Sequence, residues 1–190
     1  MDWLYLVDDV DAHIEKIVEA GGKLWKPTTE VPGMLRFAVL SDPQGAAIIV
    51  FTADPNMPSP QRPAPPAPGT ISWHELYTTD LDAGFDFYNK LFGWTKVSDM
   101  DMGTMGTYRI FDEGNHKEMG DGGMMIKAPQ MPASCWGFYF SVDSIGAAIQ
   151  RVESGGGKVV NGPIQVPGGG WIINGQDPQG AMFSLVSSKV

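Results

Sequence analysis

Asp-Pro-Gln-Gly-Ala occurs twice in this chain, at residues 42–46 and again at 177–181. The two copies belong to a longer repeat, because a shift of 135 positions aligns residues 3–51 with 138–186 without a gap. Fifteen of the 49 aligned pairs are identical. Chance would give only a few identities, so the sequence contains at least two copies of one structural unit.

Each copy follows the order strand, helix and three further strands. In the later copy Trp136, Phe138 and Phe140 occupy alternate positions, which is typical of a strand with one buried face. An apolar stripe with helical spacing follows and ends at the glycine run 155–157. The turn residues 177–180 then lead into the last strand. The pattern predicts a βαβββ unit.

Residues 70–129 contain a third, more divergent copy. Its first strand ends near Thr79, Asp80 is placed to cap a helix, and Gly93 is placed to end it. A linker at 53–69 has seven prolines, which favour extended polyproline II and a semi-rigid spacer.

We therefore predict an α+β fold of tandem βαβββ units that pair into cupped mixed sheets, with the helices on the outer face. The first repeat spans 1–52 and corresponds to the second half of one module. The second repeat (70–135) and the third repeat (136–190) together form a complete module.

Composition excludes several classes of partner. The formal net charge is −9 and the pI is near 4.6, whereas nucleic-acid binding requires a basic surface. No apolar run approaches the roughly 20 residues that span a bilayer. Cys135 is the only cysteine, so no internal disulfide can form, and we expect a reducing cytoplasm. No histidine lies near it in sequence, and a nucleophilic role is not predicted.

The segment Trp73-His74-Glu75-Leu76-Tyr77-Thr78-Thr79-Asp80, followed by Leu91-Phe92-Gly93-Trp94, resembles the start of a module of the vicinal-oxygen-chelate (glyoxalase/bleomycin-resistance/dioxygenase) superfamily. The turn at 177–180 likewise resembles the turn that precedes the final strand of such a module. The opening segment and the linker also resemble two-module bacterial glyoxalase-like proteins or hydroxylases. The resemblance covers nearly the whole chain and implies a small-molecule site inside a cup, but the fold serves many chemistries.

The resemblance also implies four positions for metal ligands, usually His and Glu, on first and last strands of the paired units. Those positions fall on Trp73, Met124 or Met125, Gly137 and Ser184. Such side chains cannot bind a divalent Fe, Mn, Ni or Zn ion, so we predict no metal and no other cofactor.

The three histidines offer no replacement ligand. His74 is one residue from a ligand position, and a shift of one residue turns a strand side chain to the opposite face unless a bulge re-aims it. His13 on a helix and His116 in a polar loop are expected to be solvated.

Alternation along the strands predicts a shared ligand cavity between the second and third repeats. Glu75 is central to it, because a carboxylate in an aromatic-lined cavity can act as a general acid or base. The simpler interpretation is that Glu75 only accepts a hydrogen bond from Tyr108 or from a backbone amide. The predicted ligand-binding residues are Trp73, Glu75, Tyr77, Tyr108, Met125, Tyr139, Ser141, Trp171 (at the cavity mouth) and Ser184.

Three functions are compatible with this site. The first is metal-free binding of a small, aromatic or largely apolar ligand, as in the bleomycin-resistance branch. The second is a metal-independent enzyme, hydroxylase- or lyase-like, that uses Glu75 as acid or base. The third, a metal-dependent lyase or dioxygenase with a displaced site, is disfavoured by the residues at the ligand positions.

The first repeat has no preceding unit in this sequence to cover its concave face. Trp3, Tyr5 and Val7 are expected to face their own helix, and the opposite face would be apolar. We expect either an upstream unit, if Met1 is not the natural start, or a homodimer formed through residues 1–52, and we favour the homodimer for the chain as given. The residues predicted to line the open face are Leu4, Leu6, Ala47, Ile49 and Phe51.

Overall fold

The computed structural model describes residues 3–56, 63–114 and 118–190. In these residues it has twelve strands in two mixed sheets and three α-helices, which confirms the predicted α+β class. The chain divides into a larger compact unit, Met1–Pro60 with Glu75–Trp136, and a smaller one, Gln61–His74 with Gly137–Val190. Strands β5 and β9 each contribute residues to both compact units.

All three repeats have the predicted βαβββ order. The first repeat contains β1 (Trp3–Leu6), α1 (Val10–Glu19), β2 (Lys23–Val31), β3 (Leu35–Ser41) and β4 (Ala47–Ala53). The second contains β5 (Ile71–Thr78), α2 (Leu81–Phe92), β6 (Thr95–Asp101), β7 (Thr107–Asp112) and β8 (Gly122–Ile126). The third contains β9 (Cys135–Ser141), α3 (Ile145–Ser154), β10 (Lys158–Gln165), β11 (Trp171–Gln176) and β12 (Met182–Ser187).

Each helix begins at a side-chain cap. Asp9, Asp80 and Ser144 accept hydrogen bonds from backbone amides three residues later, at 3.1, 3.0 and 3.3 Å. A cap of this kind stabilises a helix by about 1 kcal/mol. Helix α2 ends at Gly93, whose φ of 74° is left-handed, as the sequence predicted.

In the larger compact unit the first sheet has the strand order β1-β4-β3-β2, and β8-β7-β6 extend from the second half of β5. In the smaller unit the order is β10-β11-β12-β9, with the start of β5 beside β9. The Ser141 amide donates to the Thr70 carbonyl (2.8 Å), and the Ser141 carbonyl accepts from the Gly69 amide (2.9 Å). The first strands of the second and third repeats are therefore neighbours.

The first repeat packs against helix α2, which the sequence did not predict. The Tyr5 ring stacks on Phe92 at a centroid distance of 3.7 Å, and Trp3 stacks on Trp136 at 5.4 Å. The Tyr88 hydroxyl donates to buried Asp42 at 3.0 Å. Trp3 and Tyr5 pair in register with the buried Ile48 and Val50, so they lie on the helix side of the first sheet, and the contacts with α2 are made on that same side.

The opposite face of the first sheet has exposed apolar side chains among the residues that the structure describes. Leu4 and Leu6 are 52% and 69% exposed, whereas Ile48 and Val50 on the helix side are fully buried. Ile49 and Phe51, which pair in register with Leu4 and Leu6, are half-buried. Among the described residues, the face predicted to be apolar thus carries the exposed Leu4 and Leu6 beside the half-buried Ile49 and Phe51.

The end of the Pro-rich linker is turned, not extended. The amides of Ala67 and Thr70 donate to the carbonyls of Ala64 (3.1 Å) and Ala67 (3.0 Å). The prediction of polyproline II is therefore wrong for 64–69, since polyproline II has no internal hydrogen bonds. Residues 57–62 of the linker lie outside the described residues.

Candidate functional site

Glu75 lies at the centre of a carboxylate–phenol cluster in the larger compact unit. Its carboxylate accepts hydrogen bonds from two tyrosines. The Tyr108 hydroxyl donates to Oε1 at 2.7 Å, and the Tyr77 hydroxyl donates to Oε2. Glu75 is 8% exposed, and both tyrosines are half-buried. A nearly buried carboxylate with both oxygens engaged is held in one orientation.

Tyr108 reaches Glu75 by passing over a glycine. Strand β8 lies between β7, which carries Tyr108, and β5, which carries Glu75. A Cβ atom on Gly123 of β8 would lie 1.9 Å from the Tyr108 hydroxyl oxygen. The absence of a side chain at Gly123 therefore permits the contact between Tyr108 and Glu75.

Methionines flank Tyr108 in the sheet. Met125 on β8 and Met100 on β6 are its partners in register and share its face. Met124, the neighbouring residue, is fully buried on the other side, near helix residue Gly84. The alternative between Met124 and Met125 is thereby resolved, because only Met125 is on the face of Tyr108.

A polar row crosses the four strands of the smaller compact unit. Asn161, Asn174, Ser184 and Tyr139 are successive partners in register. The Asn161 amide donates to Asn174 at 3.0 Å, and the Asn174 amide donates to the Ser184 hydroxyl at 2.8 Å. Ser141, two residues beyond Tyr139 on the same face, forms a side-chain hydrogen bond with Ser72. The sequence analysis did not predict Asn161 and Asn174 as site residues, although the 135-residue repeat aligns them with Lys26 and Val39.

The two predicted tryptophans differ in position. Trp73 is half-buried, and alternation along β5 gives it the same face as Glu75. Trp171 is the first residue of β11 and not part of a loop, and it alternates with Ile172, so it lies on the opposite face from Asn174. The predicted place of Trp171 at the cavity mouth stays a prediction.

The four family metal positions carry no suitable set of donors. Trp73, Met125 and Gly137 provide no nitrogen or oxygen ligand, and the Ser184 hydroxyl accepts from Asn174. Throughout the part of the chain that the structure describes, no three His, Cys, Asp or Glu side chains are grouped so that they could bind a metal ion. The residues present do not fit the metal centre that the family implies.

The remaining titratable candidates lie away from the Glu75 face. His74 is buried and alternates with Glu75, as predicted from strand parity. His13 is half-buried on α1, where its Nδ1 lies 2.9 Å from the Asp9 carbonyl oxygen, and His116 lies outside the described residues. Burial raises the pKa of the Cys135 thiol, which opposes its use as a thiolate nucleophile.

The larger compact unit also has a cavity of about 370 Å³ that the sequence did not predict. Aromatic rings of Tyr5 and Phe92 line it together with Asp8, His13 and Glu113, and Glu75 is not part of it. The cavity arises where the first repeat meets α2, so no motif within one repeat could have indicated it.

The family model of the Glyoxalase/Bleomycin resistance protein/Dioxygenase superfamily matches residues 70–185. The chain belongs to this superfamily, as the βαβββ repeats and the opening segment at 73–80 predicted. This confirms the resemblance and the fold, whereas this chain has neither His nor Glu at the four positions described above.

Two curated relatives align along nearly the whole chain. One is CFP32 of Mycobacterium tuberculosis, whose name assigns it provisionally to the glyoxylases; it is 32% identical over 182 residues, covering 95% of this chain and 66% of the relative. The other is the anthracycline biosynthesis protein DnrV of Streptomyces peucetius, 31% identical, covering 97% of this chain and 64% of the relative. The chain thus spans just under two thirds of the length of each.

Solved structures show the same fold at low sequence identity. The 2,3-dioxygenase LapB of Pseudomonas sp. KL28 superposes with a TM-score of 0.66 at 18% identity, covering 97% of this chain and 70% of that chain. A Mn(II)-bound glyoxalase of Novosphingobium aromaticivorans gives 0.67 at 16% identity, covering 98% and 62%. These similarities concern the fold alone.

Proposed function

We propose that the protein binds a small, largely aromatic ligand at the Glu75 face without a metal ion. The observation that carries this proposal is the Glu75 carboxylate, which is nearly buried, is oriented by Tyr77 and Tyr108, and lies on the face of Met125. A few fixed polar groups among aromatic and thioether side chains are typical of small-ligand sites. The relationship to an anthracycline biosynthesis protein also favours an aromatic ligand.

Tyr139, Ser141 and Ser184 remain proposed ligand contacts of the smaller compact unit. Ser184 belongs to a row that offers amide and hydroxyl groups from adjacent strands, and a row of this kind provides both hydrogen-bond donors and acceptors. Trp73 is retained as well, because it shares the Glu75 face of β5.

The test is binding of 2-naphthol by isothermal titration calorimetry before and after extensive dialysis against EDTA. We expect the same affinity in both samples, and less than one equivalent of Fe, Mn, Ni or Zn per chain by elemental analysis. Binding that disappears with EDTA and returns with one of these ions would contradict metal-free binding. Glu30→Gln, which removes an exposed carboxylate from β2, is the charge-matched control for the Glu75→Gln variant described next.

The second candidate is a metal-independent enzyme, hydroxylase- or lyase-like, that uses Glu75 as a general acid or base. It is favoured by the same feature, because a carboxylate held by two phenols is positioned for proton transfer. The Glu75→Gln variant keeps the shape and removes the ionisable group. Turnover of any identified substrate should fall by about 100-fold or more in this variant, and unchanged turnover would exclude Glu75 from the mechanism.

We also propose that the open face of the first repeat binds a second copy of the chain. Strand β1 is at the edge of its sheet, and its equivalents by the internal repeat, β5 and β9, lie side by side. Ser141, the equivalent of Leu6, uses both backbone groups in that pairing. Two β1 strands can pair in the same way across a two-fold axis and cover the exposed Leu4 and Leu6.

Light scattering at tens of micromolar protein tests this homodimer. Leu6→Glu should give a monomer, since it places a charge in the proposed interface. Leu24→Glu is the matched control, because Leu24 is 42% exposed but pairs with Leu40 on the helix side of the same sheet. A wild-type monomer, or a dimer that survives Leu6→Glu, would contradict the proposal.

No helix among the described residues is long and apolar enough to cross a bilayer. The expected cytoplasmic location is retained as a proposal that rests on the single cysteine, and cell fractionation would test it.

A further inference from the structure

A one-way chain of hydrogen bonds crosses the polar row of the smaller compact unit. The Asn161 amide nitrogen donates to the Asn174 side-chain oxygen at 3.0 Å, and the Asn174 amide nitrogen donates to the Ser184 hydroxyl oxygen at 2.8 Å. Each bond joins residues that are partners in register on adjacent strands. Because the side-chain oxygen of Asn174 is turned towards Asn161, only its NH₂ group faces Ser184.

The direction of this chain determines what the Ser184 hydroxyl offers to a ligand. A hydroxyl has one proton, and a hydroxyl that accepts from a neighbour cannot send its own proton back along the same bond. In the part of the chain that the structure describes, no acceptor for the Ser184 proton is found. The proton is therefore available to an acceptor from outside the protein, and the preceding bonds polarise the hydroxyl as a donor.

Burial increases along the row towards this donor. Asn161 is exposed, Asn174 is half-buried, and Ser184 is only 9% exposed. Water can hydrate the outer end of the chain but has little access to the hydroxyl at its inner end. A buried donor loses its hydrogen bonds to water without replacement, and a ligand oxygen would restore the missing bond.

The row favours an uncharged acceptor. Its members, which are Asn161, Asn174, Ser184 and Tyr139, contribute amide, hydroxyl and phenol groups and no cation. Burial of a carboxylate without a positive partner costs more free energy than one hydrogen bond returns. The formal net charge of −9 also opposes the approach of an anion. A neutral carbonyl oxygen is therefore the acceptor that suits this donor.

We propose that Ser184, oriented by Asn174, donates a hydrogen bond to a neutral carbonyl oxygen of the ligand, so that the polar row selects aryl ketones over hydrocarbons of the same shape. This inference rests on the proposed binding of an aromatic ligand and adds the functional group that the smaller compact unit recognises. Ser184 contacts the ligand, whereas Asn174 is a positioning residue that acts through Ser184.

Two naphthalenes of the same shape test the proposal by calorimetry with the full chain. 2-Acetylnaphthalene carries a carbonyl oxygen, and 2-isopropenylnaphthalene carries a methylene group in its place. We expect the ketone to bind at least about tenfold more tightly, the equivalent of about 1.4 kcal/mol. Equal affinities would overturn the carbonyl preference and leave aromatic binding intact. Failure of both to bind at millimolar concentration would overturn the inference, and if 2-naphthol also fails to bind, the proposed binding function is overturned with it.

Infrared difference spectra give a second readout, because a hydrogen bond lowers the stretching frequency of a carbonyl group. The carbonyl band of 2-acetylnaphthalene should move to lower frequency on binding to the wild-type protein. Ser184→Ala removes the donor, so this shift should disappear and the preference for the ketone should fall to less than about twofold. A shifted band in Ser184→Ala would assign the hydrogen bond to another donor and overturn the role of Ser184.

Asn174→Asp tests the direction of the chain while Ser184 stays in place. The carboxylate has the size of the amide but offers an oxygen where the NH₂ group was, so the Ser184 proton turns towards it and away from the ligand. The ketone preference should be lost as in Ser184→Ala. A preference that survives in Asn174→Asp and is lost in Ser184→Ala would overturn the positioning role of Asn174.

Ser187→Ala is the matched control for both variants. Ser187 is a buried serine of the same strand on the opposite face, and its hydroxyl donates to the Asp143 carbonyl at 3.2 Å. This variant should keep the wild-type preference for the ketone. If Ser184→Ala and Asn174→Asp also keep it while circular dichroism shows a native fold, the polar row does not determine selectivity.

Discussion

The first and third repeats place equivalent residues in the same register and differ in the chemistry of one face. In the third repeat a row across four strands consists of Asn161, Asn174, Ser184 and Tyr139. The equivalent row of the first repeat consists of Lys26, Val39, Ile49 and Leu4. Asn174, Ser184 and Tyr139 of the third repeat thus correspond to the aliphatic Val39, Ile49 and Leu4 of the first, and only the outermost position, Lys26, is polar in both rows.

This difference indicates that one βαβββ unit can present either of two surfaces. A polar row held by its own hydrogen bonds can exchange them with a ligand, whereas an aliphatic row gains free energy only by exclusion of water. Burial of apolar area contributes about 25 cal/mol per Å², so an open aliphatic face favours a protein partner. This contrast is the basis of the two proposals, association through the first repeat and ligand binding by the second and third.

The largest expected difference between the repeats is in how much the two Asp-Pro-Gln-Gly-Ala turns contribute to the free energy of unfolding. Asp42 and Asp177 accept from the amides of Ala46 (2.8 Å) and Ala181 (2.7 Å), but only Asp42 is fully buried and also accepts from Tyr88. Asp42→Ala should lower the free energy of unfolding by about 3 kcal/mol, because the buried Tyr88 hydroxyl loses its acceptor. Asp177→Ala should cost about 1 kcal/mol. Urea unfolding measures both, and equal losses would show that the contact with α2 contributes little.

Exchange of the equivalent residues Asn174 and Val39 between the two rows should have a smaller effect on stability. Asn174→Val gives the third repeat the residue of the first and removes the hydrogen bonds that Asn174 makes with Asn161 and Ser184, with an expected loss of about 1–2 kcal/mol. Val39→Asn, on the open face of the first repeat, should change monomer stability by less than about 0.5 kcal/mol. It should, however, weaken the proposed dimer in analytical ultracentrifugation. A dimer unaffected by Val39→Asn would place the association elsewhere.

The smallest expected effect is a pH dependence specific to the first repeat. Burial raises the pKa of Asp42 above its ordinary value of 3.8, so the folded state binds this proton more tightly than the unfolded state does. The stabilisation is complete below pH 3.8 and is lost as the pH rises through the folded pKa. Asp42→Asn cannot ionise, so melting temperatures measured from pH 3 to pH 8 should move in favour of the variant as the pH rises. Parallel curves for wild type and variant would contradict this, and Asp177→Asn is the matched control.

Sequence periodicity predicted the elements of the fold because each repeat encodes them locally. Strand alternation, the cap at Asp80 and the left-handed Gly93 depend on residues a few positions apart. Even the face of β5 that carries Glu75 follows from parity alone. The linker was the exception, because proline content does not distinguish a hydrogen-bonded turn from an extended chain.

Contacts between repeats could not be predicted from sequence periodicity. Stacking of Tyr5 on Phe92 and the bond from Tyr88 to Asp42 join residues of different repeats, and neither leaves a periodic signal. The role of Gly123 depends on a side chain from the adjacent strand that crosses over it.

The most direct test of the contrast between the two faces is a ¹H–¹⁵N NMR titration of the labelled protein with 2-naphthol. We expect the backbone amides of residues 75–77, 108 and 123–125 to shift, while amides at 4–6 and 47–51 stay unchanged. Shifts concentrated on the first repeat, with the Glu75 cluster unaffected, would contradict the proposal that the ligand binds at the Glu75 face and that the first repeat serves for association.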